Sequence, residues 1–183
     1  MVYMGMNVTR TKNLAGYDLP AIDWEPVRDT LASDITQAPD SGGPNRHTAW
    51  LTTINPDGSP HPTPVGFVQL DGVWYFTSGP GTRKSRNIAA DPRCVVSVAT
   101  HPFDLVIEGG VARITGADEL RSVADQYVRQ GWPAKVDGDA FTAEYSAPSA
   151  GPPPWHVYRV TPTTVYAFGT TEPGGATRFD LTQ

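Results

Sequence analysis

Between Thr48 and Thr77 the chain alternates β-branched or aromatic runs with turn residues so regularly that few folds can accept it. Thr48-Ala49-Trp50-Leu51-Thr52-Thr53-Ile54 ends at the turn signal Asn55-Pro56-Asp57-Gly58, and a second run follows from Thr63 to Leu70. Asp71-Gly72 then leads into Val73-Trp74-Tyr75-Phe76-Thr77. Asp-Gly between two such runs is a strong short-range signal for a tight hairpin, so the segment predicts an antiparallel meander. Cys94–Thr100 and Leu105–Thr115 extend it to at least five strands, with a bulge or bend expected at Glu108-Gly109-Gly110. Val157–Val160 and Thr164–Phe168 are expected to close the sheet into a barrel.

Helices are expected around this sheet. Residues 24–33 place Leu31 on one side, with Ile35 continuing it, before the breaker-rich stretch 38–44. A short helix is predicted over 83–90, stopped by Asp91-Pro92. Ala117–Gln130 carries Leu120, Val123, Ala124, Tyr127 and Val128 at helical spacing, with Asp118 and Glu119 at its start and Gly131 after its end. A further short helix is expected over 138–145, followed by a proline-rich linker from Pro148 to Pro154. The division is an N-terminal arm with a short helix over 1–45 and a barrel domain over 46–183, forming one folding unit, which suits 183 residues of which 39% are hydrophobic.

A net charge of −5 and a pI of 5.2 speak against nucleic acid and anionic membranes as partners and favour a small molecule. The single cysteine, Cys94, sits in a strand-like setting and can form neither an internal disulfide nor a thiolate metal site. With no sustained apolar run in residues 1–16, a cytoplasmic protein without a membrane span is expected. His47, His61, His101 and His156 are scattered without a ligand-like pair, so no metal site is expected.

Chemistry concentrates in Thr77-Ser78-Gly79-Pro80-Gly81-Thr82-Arg83-Lys84-Ser85-Arg86-Asn87-Ile88, a strand that passes through a Gly-Pro-Gly loop into a helix capped by Thr82. Arg83 and Lys84 fall in the first turn, where the helix dipole disfavours cations by roughly 0.3–1 kcal/mol each. A bound phosphate reverses that sign; the other reading is two cations splayed into water on a solvated face. The loop departs from the Gly-x-x-x-x-Gly-Lys-Ser/Thr pattern, so an ATP-type P-loop is not expected. Upstream, Pro60, Pro62 and Pro64 remove backbone donors from their strand, which points to an edge whose remaining groups face a ligand or to a plain irregular edge.

Taken with Trp74-Tyr75-Phe76-Thr77-Ser78, Asp91-Pro92-Arg93 and Ile107-Glu108-Gly109, this segment resembles the split β-barrel flavin and deazaflavin oxidoreductases related to pyridoxamine 5'-phosphate oxidase. The likeness runs over residues 46–116, with the strand at 157–168 consistent with it. It implies an FMN-binding-like split β-barrel with peripheral helices, and a homodimer with cofactor sites at the subunit interface. Arg83 and Lys84 would bind the cofactor phosphate; Thr77, Ser78, Ser85 and Asn87 would contact it or hold the loop. His61, Thr63, Pro64 and Val65 would border the ring, and Phe103 would form a wall supplied by the partner chain. The implied activity is that of an oxidoreductase using coenzyme F420 to transfer hydride to or from an unsaturated small molecule. FMN is the alternative cofactor, and a noncatalytic protein holding such a cofactor or haem is the alternative of another class. His61 borders the ring site but is more readily read as a packing residue, so no catalytic residue is assigned. Pyridoxamine phosphate oxidation itself would need a second basic phosphate site that the sequence does not offer.

Overall fold

A computed structural model describes residues 6–33, 49–70, 72–147 and 150–182. Ile35, the breaker-rich stretch 38–44, His47, Thr48, Asp71, Pro148 and Ser149 lie outside the described residues. The elements are β1 (Asn7–Asn13), α1 (Trp24–Ala32), β2 (Ala49–Ile54), β3 (Pro60–Val65), β4 (Phe67–Leu70), β5 (Val73–Ser78) and α2 (Arg83–Ala90). They continue with β6 (Arg93–Ala99), β7 (Phe103–Ile114), α3 (Ala117–Arg129), β8 (Lys135–Asp137), β9 (Ala140–Thr142), β10 (His156–Gly169) and β11 (Ala176–Thr182).

The main sheet runs β1-β11-β10-β7-β6-β2-β3, with β5 pairing both β10 and β4. The long strand β10 organises it. One edge pairs β7 along nearly its whole length; the other pairs β5 over His156–Val160 and then β11 over Thr164–Phe168. Among the described residues the hydrogen-bonded sheet does not close on itself, because β3 pairs only β2 and β4 pairs only β5. Gly66 joins β3 to β4, so the chain itself bridges the two halves. This is the split β-barrel with peripheral helices that the sequence led us to expect.

Alternation sorts the side chains. Inward residues of β2, β6, β7 and β10, among them Leu51, Val96, Ile107 and Val165, form the main core with Phe76, whose ring stacks on Tyr158 with centroids 5.1 Å apart. Helix α1 inserts Val27 and Leu31 into the same core, and the Leu31 carbonyl accepts a hydrogen bond from Trp74 Nε1 at 2.8 Å. A second core lies on the outer face of β4, β5 and the start of β10, where Leu120, Val123 and Tyr127 of α3 cover Val68, Tyr75 and Val157. Glu119 pins α3 there by accepting from Tyr75 Oη and Arg159 Nη1, each at 3.0 Å.

Several local expectations are corrected. Residues 138–145 do not form a helix. Gly138 adopts φ +61° between β8 and β9, whose register pairs Asp137 with Ala140, and Phe141 exchanges backbone hydrogen bonds of 2.8 Å with Trp155. The stretch 63–70 is two strands broken at Gly66, whereas 157–160 and 164–168 are one strand. Strand β7 runs unbroken through Glu108-Gly109-Gly110; the irregularity lies opposite, on β10 between Pro162 and Thr164. There a Cβ on Gly109 would stand 2.2 Å from the Thr161 carbonyl oxygen, so Gly109 marks a close approach of β10. Strands β1 and β11, which pair with each other, were not anticipated.

Candidate functional site

The break at Gly66 creates the feature that gathers the candidate residues. Strand β5 pairs β4 only as far as Phe76, opposite Phe67, and its last residues, Thr77 and Ser78, continue without a partner on that side. Strand β3 bends away to pair β2. Among the described residues the unpaired edge of β3 and the unpaired end of β5 thus flank one gap in the pairing, the slit, and the chain leaving β5 turns through Gly79-Pro80-Gly81 into α2.

Thr82 caps α2. Its hydroxyl accepts from the Ser85 amide at 3.3 Å and lies 2.8 Å from Ser78 Oγ, 2.9 Å from the Gly79 carbonyl and 3.0 Å from Ser85 Oγ. This cluster ties the strand end to the helix start, and Ser78 and Ser85 are both buried. Asn87 is buried too. Its amide nitrogen donates to Thr53 Oγ1 and to Asn55 Oδ1, each at 3.0 Å, which seats the helix on β2 and its following turn.

Helical spacing places Lys84 one turn before Asn87 and Ile88, on the face that α2 turns toward the sheet. Lys84 is accordingly partly buried, and burial pushes its ammonium below the ordinary lysine pKa. Among the described residues neither Lys84 nor Arg83 has an ion pair or a side-chain hydrogen bond. Arg83 is exposed beside the β2–β3 turn. The Asp57 carboxyl in that turn is held below its usual range mainly by hydrogen bonds from Ser59, with a smaller Coulombic contribution from Arg83.

On β3, His61, Thr63 and Val65 face inward, opposite Thr53, Leu51 and Ala49, while Pro60, Pro62 and Pro64 are exposed. Thr63 Oγ1 is buried without a hydrogen-bond partner among the described residues. His61, Thr63, Pro64 and Val65 thus line one margin, Ser78 ends the other, and Arg83, Lys84, Ser85 and Asn87 belong to the helix that starts beside it. Thr77 contributes backbone to the margin, but its side chain points to the face it shares with Val157. Phe103 opens β7 with its ring in the main core. Trp155 and Tyr158 are buried as well.

Thr53 and Asn55, the partners of Asn87, were not singled out from the sequence. Alternation with Leu51 would have put Thr53 on the inner face, where a buried hydroxyl requires a partner. The opposite partner, Asn87, lies 34 residues away and carries no local mark.

The arrangement suits an anionic group at the α2 start and a planar group in the slit. A phosphate there would give Lys84 and Arg83 the counter-charge they lack. No group of three or more His, Cys, Asp or Glu residues able to hold a metal occurs among the described residues. Burial pushes the Cys94 thiol up to about 12, which keeps it protonated and unreactive. No helix among the described residues is long and apolar enough to cross a membrane.

Residues 39–169 match the family described as pyridoxamine 5'-phosphate oxidase. No curated protein matches the chain in sequence. Among solved structures, a conserved hypothetical protein of Mycobacterium tuberculosis superposes with a TM-score of 0.56 at 16% identity, covering 81% of this chain and 86% of that one. General Stress Protein 26 of Bacillus anthracis gives 0.50 at 15% identity over 77% of this chain and 92% of its own. These two likenesses concern the fold alone. An F420 reductase is 28% identical over 64% of this chain and 87% of its own, with a TM-score of 0.43, too low to bear on the cofactor here.

Proposed function

The chain belongs to the pyridoxamine 5'-phosphate oxidase family of flavin-binding oxidoreductases, and from that premise we propose that it holds a phosphate-bearing tricyclic redox cofactor in the slit between β3 and the end of β5. The observation that carries this reading is Lys84: a partly buried lysine at a capped helix start, depressed in pKa and without a counter-charge among the described residues. Such a group is unfavourable until an anion joins it. Arg83, Lys84 and the first amides of α2 would take the phosphate, while Ser78, Ser85 and Asn87 would hold the loop and helix that present them. His61, Thr63, Pro64 and Val65 would line the ring.

The cofactor would supply hydride transfer and the protein its position. The finer reading is an oxidoreductase that uses coenzyme F420 to transfer hydride to or from an unsaturated small molecule, with FMN as the competing cofactor. The form of Thr82-Arg83-Lys84-Ser85-Arg86-Asn87 supports the deazaflavin. Fluorescence titration of the cofactor-free protein with F420 and, separately, FMN is the test. Tighter binding of F420 is expected; preference for FMN transfers the protein to the flavin branch, and binding of neither removes the cofactor reading.

A homodimer belongs to the same proposal. The second core covers the outer face of β4, β5 and the start of β10. Elsewhere on the outer face, Pro64, Trp50, Ser97, Val106 and Tyr166 stand side by side across five strands, and Trp50 is 46% exposed. A second copy seated on this apolar row would lie against β3, whose free edge is a margin of the slit, so each cofactor would sit beside the interface. Trp50→Glu should convert a dimer to a monomer in light scattering. A wild-type protein that is already monomeric would remove the dimer from this reading.

A further inference from the structure

The register of β2 with β3 settles where the backbone groups of the proline-rich strand point. Pro60, Pro62 and Pro64 lie opposite Ile54, Thr52 and Trp50. Proline has no N–H, so these three positions cannot be hydrogen-bonded pairs of an antiparallel ladder. The exchanged bonds fall instead on His61, Thr63 and Val65, opposite Thr53, Leu51 and Ala49. It follows that Pro60, Pro62 and Pro64 turn their carbonyls away from β2, toward the slit, and that no amide of these residues points with them. This margin offers hydrogen-bond acceptors and no backbone donor.

A ring bound against such a margin is filtered by its own hydrogen-bonding pattern. Oxidised FMN carries a lone pair on N5; deazaflavin carries a C–H at the same position, while both present the same imide N–H and carbonyls elsewhere in the pyrimidine ring. Against bare carbonyls, N5 would face acceptor with acceptor and lose the hydrogen bond it makes in water, whereas the C–H loses none.

We propose that Pro62 and Pro64 are specificity-determining residues that strip the slit margin of β3 of backbone donors and thereby select a 5-deazaflavin over a flavin, the edge bearing position 5 lying along β3. This rests on the reading of the slit as the cofactor site and adds the reason for its choice of ring. The device is built from backbone, so the side chains lining the slit need not differ between the two specificities.

The experiment replaces the prolines singly and together, Pro62→Ala, Pro64→Ala and the double variant, each of which adds an N–H on the slit side while keeping the carbonyl. Dissociation constants for oxidised FMN and for F420 are measured by fluorescence, and the melting temperature and mass of each variant report on fold and assembly. The expected result is a preference of the wild type for F420 that narrows by about tenfold in at least one variant, through tighter FMN binding, the equivalent of one hydrogen bond. An unchanged ratio of the two constants in the folded variants overturns the proposal. So does a wild type that binds oxidised FMN as tightly as F420, a result that needs no variant and leaves the phosphate site standing. Failure of the wild type to bind either cofactor overturns the proposal together with the cofactor reading.

Discussion

Replacing Arg83 and Lys84 together by alanine is expected to weaken binding of F420 and of FMN between about a hundredfold and ten-thousandfold, because each cation would give one charge-assisted hydrogen bond worth roughly 1.5–3 kcal/mol. The cofactor-free variant should melt no lower than the wild type. Both cations occupy the first turn of α2, where the dipole opposes them, and neither has an ion pair among the described residues whose loss would cost stability. Affinity and stability thus move apart, which separates a ligand site from a structural role. Unchanged affinity in the double variant would dismiss the phosphate site, and a lowered melting temperature with intact affinity would make the two cations structural.

Lys84 adds a pH signature. Burial lowers its pKa, so in the free protein it loses its charge as pH rises sooner than an ordinary lysine does, and its attraction for phosphate goes with it. Affinity should therefore decline on the alkaline side in the wild type. In Lys84→Ala that decline should disappear, because the group whose charge is lost is no longer there. Persistence of the decline in the variant would assign it to another group.

The second large effect concerns the fold. Gly109→Ala should destabilise the protein by about 3 kcal/mol, the upper part of the ordinary range for an overpacked site, and lower the melting temperature by about 6–12 °C. A methyl group there would stand 2.2 Å from the Thr161 carbonyl oxygen and 3.0 Å from Pro162 Cα, both backbone atoms of the neighbouring strand that no rotamer change can move. Gly110 supplies the control. A Cβ at that position meets only the Pro92 carbonyl at 3.8 Å, so Gly110→Ala should stay within about 1 kcal/mol of the wild type. Equal effects of the two substitutions would show that local backbone freedom, and not the approach of β10, explains the pair of glycines.

What could be read without coordinates was local. Strand alternation and the Asp71-Gly72 turn signal announce the antiparallel β-structure, because side-chain period and turn chemistry act over a few residues. The cap at Thr82 and the cations behind it are legible for the same reason: a helix start is defined within one turn. Local signals also misled where they were ambiguous. The hairpin turn Gly138-Asp139 opens the stretch 138–145 that was expected to be helical, and the pairing of β8 with β9 and the exchange of hydrogen bonds between Phe141 and Trp155 commit it to β-structure. Glu108-Gly109-Gly110 signalled a bulge or a bend, and the bulge lies on the partner strand β10, more than fifty positions away, where Gly109 meets it.

The candidate site was legible as a set of residues and not as a place. The prolines of β3 could be recognised as an edge signal from the sequence, yet which way their carbonyls point depends on the register with β2. The partial burial of Lys84 depends on Asn87 finding Thr53 and Asn55 across the barrel end. Phe103 and Thr77 show the converse, since the family resemblance implied for them a ring wall and a contact to the phosphate or its loop, while packing directs one ring into the core and the other side chain toward the face it shares with Val157. The sequence by itself determined the antiparallel run from Ala49 to Ile114, the helix start and the chemical types available there, because propensity, capping and turn formation are short-range. Only the tertiary structure decided that the pairing breaks at Gly66, with β3 going to β2 and β4 to β5, and that the end of β5 leads from this gap into the basic helix start, because that separation arises from strand pairings between segments remote in the chain.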